Sequence, residues 1–264
     1  FKQGLVATDV SFYSDEKQLV PLLEGSKMAL GLDKTEALQG KFKLHSLTII
    51  DGNAHIPIDH EGRNVIVQDI HGKVKITESG RIIVDGASGL IEGLRVNLST
   101  DLRISKIKPT DGAPKPPETL ESNRIIKKAL DELALWTFSA EAPPQLAFKI
   151  KGDLDSPEQL QTSFRLNAVQ LKRNQYQLRK LFIAGDLQAQ IITLDEILLQ
   201  DESGSASGQA DWCISRNDGR FDLNSDLHVQ DFLNNCFDVK VLKDLTIIDT
   251  SPVLKINGSF SSRK

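Results

Sequence analysis

From Leu146 to Val229 apolar and polar residues alternate almost without interruption. Leu146, Phe148 and Ile150 interleave with Ala147, Lys149 and Lys151, and Phe164 and Leu166 flank Arg165. Leu187, Ala189 and Ile191 take turns with Gln188 and Gln190. Further on come Ala206, Gly208, Ala210, Trp212 and Ile214, then Phe221, Leu223, Ser225, Leu227 and Val229. A period of two places every apolar side chain of a strand on one side of its sheet. A chain patterned this way over many strands must build sheet, and it must then deal with a large apolar face.

The same pattern occupies the first third. Strands are expected over 5–13, 27–32, 42–50, 54–58, 64–76, 81–85 and 94–104. Turn chemistry stands between them at Asp51-Gly52-Asn53, Glu61-Gly62, Ser79-Gly80 and Asp85-Gly86, as in an antiparallel meander. A Pro-rich stretch, Pro109 to Pro117, cannot pair in a sheet centre and reads as a linker. It leads into one amphipathic helix, Glu118 to Phe138, with Ile125, Ile126, Ala129, Leu130, Leu133 and Trp136 as its stripe. Thr119 caps this helix and Pro143-Pro144 ends it. A second, short helix is expected from Asp231. The organisation is therefore a β segment over 1–108, a linker over 109–118, and a helix followed by further strands of the same extended sheet over 119–264. Two echoes, Leu47 to Asp51 repeated at Leu245 to Asp249, and Ile150 to Leu154 resembling Ile183 to Leu187, leave true internal repetition open.

Composition narrows the function classes. With 39% hydrophobic and 26% charged residues, the chain of 264 is neither disordered nor rich in membrane-spanning helix. Its net charge of −4, with acids and bases interspersed, offers no basic field for nucleic acid. Cys213 and Cys236 are too few for a disulfide framework or a zinc site, and two unpaired thiols are favoured over a single bridge. Phe1 and the strand-like end, Val253 to Phe260, read as the limits of a piece of a longer chain, so any anchor would lie upstream.

No residue pattern points to catalysis, a cofactor or a metal. Asp51 to Glu61 holds His55, Asp59, His60 and several acids, but His60 points away from His55 and Asp59 on a strand, and Pro57 interrupts pairing. A plain hairpin is the better reading. Asp222, Asn224 and Asp226 read as the solvated side of a strand rather than as paired catalytic carboxylates. The stretch Asp201 to Asp211 lacks calcium-loop spacing. Phosphate-loop, dinucleotide and nucleophile-elbow motifs do not occur. The chain is expected not to be an enzyme.

The apolar face then becomes the informative feature. Roughly a dozen strands at about 4.8 Å spacing make a sheet about 50–60 Å long. Its apolar side exceeds what soluble proteins leave uncovered, and one long and one short helix cannot cover it. Two sheets packed as a sandwich, a sheet curled on itself, or a bound apolar ligand would each solve the problem.

Leu44 to Pro57, with its Asp-Gly-Asn turn and Ala-His-Ile-Pro return, resembles a recurring unit of the AsmA-like proteins of Gram-negative envelopes. Asp69 to Val74, Gly93 to Val96 with Asp101-Leu102, Pro144 to Leu154, Ser207 to Trp212 and Arg220 to Ser225 continue the likeness in order. These are soft strand-and-turn patterns. The resemblance implies a long curled antiparallel β-sheet with a hydrophobic groove, as in bridge-like lipid transfer proteins. It also implies a periplasmic location, an inner-membrane anchor supplied by an N-terminal helix missing from this sequence, and a role in moving phospholipid towards the outer membrane. On that reading Phe148, Ile150, Phe164, Leu166, Ile183, Leu187, Trp212, Ile214, Phe221 and Leu223 line the groove, while each is equally well an ordinary core position. The partners would be phospholipids or other acyl-chain lipids, together with envelope proteins at the sheet edges. The alternative is a non-catalytic structural or assembly module with a closed β core and partner-binding edges.

Overall fold

The computed structural model of the chain describes residues 5–13, 21–32, 36, 38–40, 43–57, 64–104, 130–228 and 254–261. Among these, thirteen strands follow one another: β1 (Leu5–Tyr13), β2 (Pro21–Leu32), β3 (Leu44–Pro57), β4 (Asn64–Ile76), β5 (Arg81–Ile91), β6 (Leu94–Arg103), β7 (Gln145–Asp153), β8 (Gln161–Arg173), β9 (Tyr176–Gln188), β10 (Ile191–Gln200), β11 (Ser205–Cys213), β12 (Asp218–Ser225) and β13 (Leu254–Ser261). They form one large sheet whose hydrogen-bonded neighbours run in chain order, and it does not close into a barrel. Pairings from β1 to β6 and from β8 to β13 are antiparallel. The mainly β, antiparallel expectation is met. Contacts divide the chain into two compact units, Phe1–Glu132 with Phe148–Leu160, and Leu133–Ala147 with Gln161–Lys264.

In the first unit the strands are longer than the alternation suggests. Asp51-Gly52 and Asp85-Gly86 are not hairpin turns; they lie inside β3 and β5. Asp51 and Gly86 have φ of +57° and +67°, and Asp9 and Asp69 share this left-handed conformation at +53° and +51°. Gly and Asp enter that region more readily than bulky residues, and a β-bulge requires it as often as a tight turn does. Ser79-Gly80 does form a turn, where Gly80 N donates to Thr77 O at 3.1 Å.

Each bulge also shifts the parity of its strand. Leu47 and Ile49 share a face with Ala54 and Ile56 only because Asp51 adds a residue between them. The same shift joins Leu5 and Ala7 to Val10 and Phe12, and Ile82 and Val84 to Ala87 and Ile91. β6 has no bulge and presents Leu94, Val96, Leu98, Thr100 and Leu102 on that face. One side of this unit is therefore apolar throughout, apart from Thr100, which is buried with its hydroxyl unpartnered.

In the second unit Ala168, Leu171, Tyr176 and Leu178 form the buried core, with Trp136, Phe138, Leu181 and Leu199 packed against it. β9 runs unbroken from Tyr176 to Gln188 through Leu178 and Leu181. The expected helix from Glu118 to Phe138 needs correction in its described part. Only 130–133 is helical. Thr137 then pairs with Lys172 through two backbone hydrogen bonds of 2.8 Å, and this takes Trp136 out of any helix. Trp136 instead packs on the core and under the Arg173 guanidinium, 5.6 Å from its ring. The Pro-rich linker, the short helix from Asp231 and the echo at Leu245 to Asp249 lie outside the described residues.

Candidate functional site

The register of the second unit collects its apolar side chains on one face. Directly opposite residues of an antiparallel pair point to the same side. Leu166 faces Ile183, which faces Ile197 on β10. Leu187 faces Ile192, and Ile192 faces Trp212. Phe164 lies against Gly185, Phe221 against Ala210 and Leu223 against Gly208. From β8 to β12 the charged side chain paired on this face is Arg173, opposite Tyr176 at the end of the β8–β9 pair, and Thr162, Tyr176 and Ser225, near the strand ends, supply its hydroxyls.

Seven of the ten residues expected to line a groove come together here: Phe164, Leu166, Ile183, Leu187, Trp212, Phe221 and Leu223. All are half-buried. Ile214 is also half-buried but lies beyond the end of β11, in the turn to β12. Phe148 and Ile150 lie on β7, half-buried between the exposed Lys149 and Lys151, and belong to the first unit. Trp212 has its indole N–H satisfied by Asn217 Oδ1 at 3.2 Å, which leaves the ring free for apolar contact.

Sequence alternation misses the β10 contribution, Ile192, Leu194, Ile197 and Leu199. Its pattern slips at Asp195-Glu196, where the register shifts by one residue against both neighbours. Two consecutive polar residues within an otherwise alternating strand are the signal for this bulge. The apolar face of the first unit is missed for the same reason. Several of its members are well exposed: Leu5 at 52%, Ile56 at 48% and Phe12 at 45%.

Apart from Arg173, the paired charged residues lie on the other side. In the second unit this side carries Arg165, Lys180, Asp186, Glu196, Asp211, Arg220 and Asp222. Arg220 Nη2 donates to Asp211 Oδ2 at 3.2 Å, and Arg165 lies 5.9 Å over the Phe182 ring. In the first unit Arg81 pairs with Asp101. Their hydrogen bond holds the Asp101 carboxyl below its ordinary range. A shallow depression of about 530 Å³ on the charged side is bordered by Cys213, Arg216, Asp218 and Arg220. Cys213 is a buried free thiol 3.4 Å from Ser215 Oγ, and this hydrogen bond lowers its pKa, assisted by the Arg216 amide. Cys236 lies outside the described residues.

No family model, curated protein or solved structure matches the chain.

The candidates for chemistry disperse. His55 Nε2 stands 3.9 Å from Glu24, while Asp59, His60 and Glu61 lie outside the described residues. His71 Nδ1 accepts from the Asp51 amide at 3.4 Å. Among the described residues no group of three or more His, Cys, Asp and Glu could hold a metal, and no helix is long and apolar enough to cross a membrane. Asn224 and Asp226 are exposed, but Asp222 is half-buried with one carboxylate oxygen out of solvent, so the expectation of a fully solvated row is corrected there. Packing of β12 between β11 and β13 removes that oxygen from water. Asp201 is buried in the turn before β11, and its role is structural. Tyr176 Oη donates to it at 2.7 Å, and the amides of Ser203 and Gly204 at 2.6 and 3.0 Å.

Proposed function

We infer that this chain is a segment of an AsmA-like envelope protein whose apolar sheet faces bind or conduct phospholipid acyl chains. The observation that carries the reading is the segregation across β8 to β12: apolar side chains on one side, with Arg173 at the end of β8 the charge among them, and the other charges on the opposite side. A surface of this kind contacts acyl chains without direction or specificity, so lipid can move along it without breaking strong bonds. The strand-and-turn resemblance supports the same reading, and it supplies the periplasmic location, the anchoring in the inner membrane and the traffic towards the outer membrane. The polar head group would remain in water.

Photo-crosslinking amino acids at Ile150, Ile183 and Leu223, in cells or with phospholipid vesicles, test this. Covalent adducts with the mass of intact phospholipid are the expected outcome. Adducts with protein alone at all three positions, together with no co-purifying phospholipid, would leave a closed structural module in its place.

A further inference from the structure

Unpaired positions of the first unit are aligned, and those on β3, β4 and β5 are register-shifting bulges. Thr8 pairs with Lys27 and Val10 with Gly25, which leaves Asp9 facing Ser26; Lys27 pairs with Ile50 and Gly25 with Gly52, which leaves Ser26 facing Asp51. On β4 the irregularity falls at Asp69, beside Ile70, the partner of Gly52, and on β5 it falls at Asp85-Gly86. Asp9, Ser26, Asp51, Asp69, Asp85 and Gly86 all drop out of the pairing register. Left-handed backbone at Asp9, Asp51, Asp69 and Gly86 marks the same line.

The apolar side of this line is crowded with glycines. A Cβ on Gly25 would stand 2.6 Å from Met28 Cε, one on Gly52 2.7 Å from Ile49 Cγ2, and one on Gly89 2.8 Å from Val67 Cγ1. Met28 and Gly25 belong to one strand on opposite sides of the bulge, as do Ile49 and Gly52. In a straight strand, side chains on one face stand about 7 Å apart along the chain; the short Ile49 branch beside Gly52 shows that the bulge brings these two positions of β3 onto one face and close together. On the polar side, side-chain hydrogen bonds cross the line: Ser26 Oγ donates to Ile50 O at 3.1 Å and to Asp51 Oδ2 at 3.4 Å, and His71 receives the Asp51 amide.

We propose that this line is a flexing crease, about which β1 to β5 bend to open and close the apolar face of the first unit. A bulge bends its strand and interrupts the ladder. Five interruptions side by side leave a line where few main-chain pairs resist bending, and local opening concentrates where such pairs are few. Non-glycine residues held left-handed add strain that a change of curvature relieves. β6, with no bulge, is the rigid border. This goes beyond the lipid reading, because the crease acts whatever the face holds.

Pulsed electron–electron distance measurement on the full chain tests it, with Cys213→Ser and Cys236→Ser as background. One spin-label pair at Ile66→Cys and Lys75→Cys spans the crease on β4; the control pair, Arg95→Cys and Arg103→Cys, lies on β6. An unbent β4 would place its labelled residues about 30 Å apart. The expected result is a shorter mean and a distribution roughly twice as wide as that of the control. A distribution as narrow as the control overturns the proposal, whatever its mean. Asp69→Gly should leave the β4 distribution unchanged, because glycine accepts the left-handed backbone. Asp69→Val should move it towards the extended length, provided circular dichroism shows the sheet intact.

Discussion

Gly208 on β11 lies directly opposite Leu223 on β12, so close that a Cβ on Gly208 would meet Leu223 Cδ2 at 2.7 Å and the Asp222 carbonyl oxygen at 2.1 Å. Glycine here lets the large side chain of β12 lean across β11, which keeps the apolar face continuous. Main-chain atoms cannot retreat as a flexible side chain can. Gly208→Val is therefore expected to cost about 1–3 kcal/mol, read as a lowered urea midpoint with an unchanged slope. The same substitution at Gly86, where nothing approaches within 4 Å, would act through its positive φ alone.

Leu178 is 1% exposed at the centre of the second unit's core. Truncation to alanine removes its contacts with Leu171 and Tyr176 and leaves a void. Leu178→Ala should destabilise by about 2–5 kcal/mol in chemical denaturation. A cost below about 1 kcal/mol would mean that the cluster is not the core of this unit.

Much of this fold is legible in the sequence, and most of the losses come from bulges. β1, β4 and β6 are read to within a residue because their apolar positions and turns agree. β3 and β5 are cut in two because an aspartate or glycine at positive φ serves a bulge as well as a turn, and the chain's local chemistry is the same in both. β10 is lost to groove prediction at Asp195-Glu196 for the same reason. Trp136 is misplaced because its three- and four-residue spacing from Leu133 and Ala129 suits a helix, whereas the decisive contacts, Lys172 and Arg173, lie far along the chain. Of the residues expected to line a groove, Phe164, Leu166, Ile183, Leu187, Trp212, Phe221 and Leu223 share one face, as a period of two within each strand suggests. The opposition of Leu166 to Ile183, or of Leu187 to Ile192, depends on register, which no single strand encodes.

Asp201 provides a pH-dependent contribution to stability. Burial raises its pKa, but hydrogen bonds from Tyr176, Ser203 and Gly204 outweigh this and hold the carboxyl below its usual value. A carboxylate with a depressed folded pKa adds stability above its unfolded pKa of about 3.9 and loses it as pH falls through the folded value. The stability difference between the wild-type protein and Asp201→Asn should thus be full near neutrality and shrink below about pH 4. Urea titrations at several pH values check this; a difference independent of pH would contradict it.

Tyr176→Phe removes the 2.7 Å hydrogen bond to the Asp201 carboxylate while keeping the ring in the core. The expected cost is about 1–3 kcal/mol. It should be largely absent in an Asp201→Ala background, where no side-chain acceptor remains and the two groups act as one unit. Additive costs in the double variant would show that the bond contributes little.

The central claim is that the apolar face of the second unit receives acyl chains. Trp212 reports on it directly, because its ring lies on that face opposite Ile192. With Trp136→Phe as background, Trp212 fluorescence is titrated with phospholipid carrying bromine on its acyl chains. Saturable quenching by the brominated lipid is expected, with none by the same lipid without bromine and loss of quenching in a folded Leu223→Arg variant. Unchanged Trp212 emission over the whole titration, in protein shown to be folded, would contradict it.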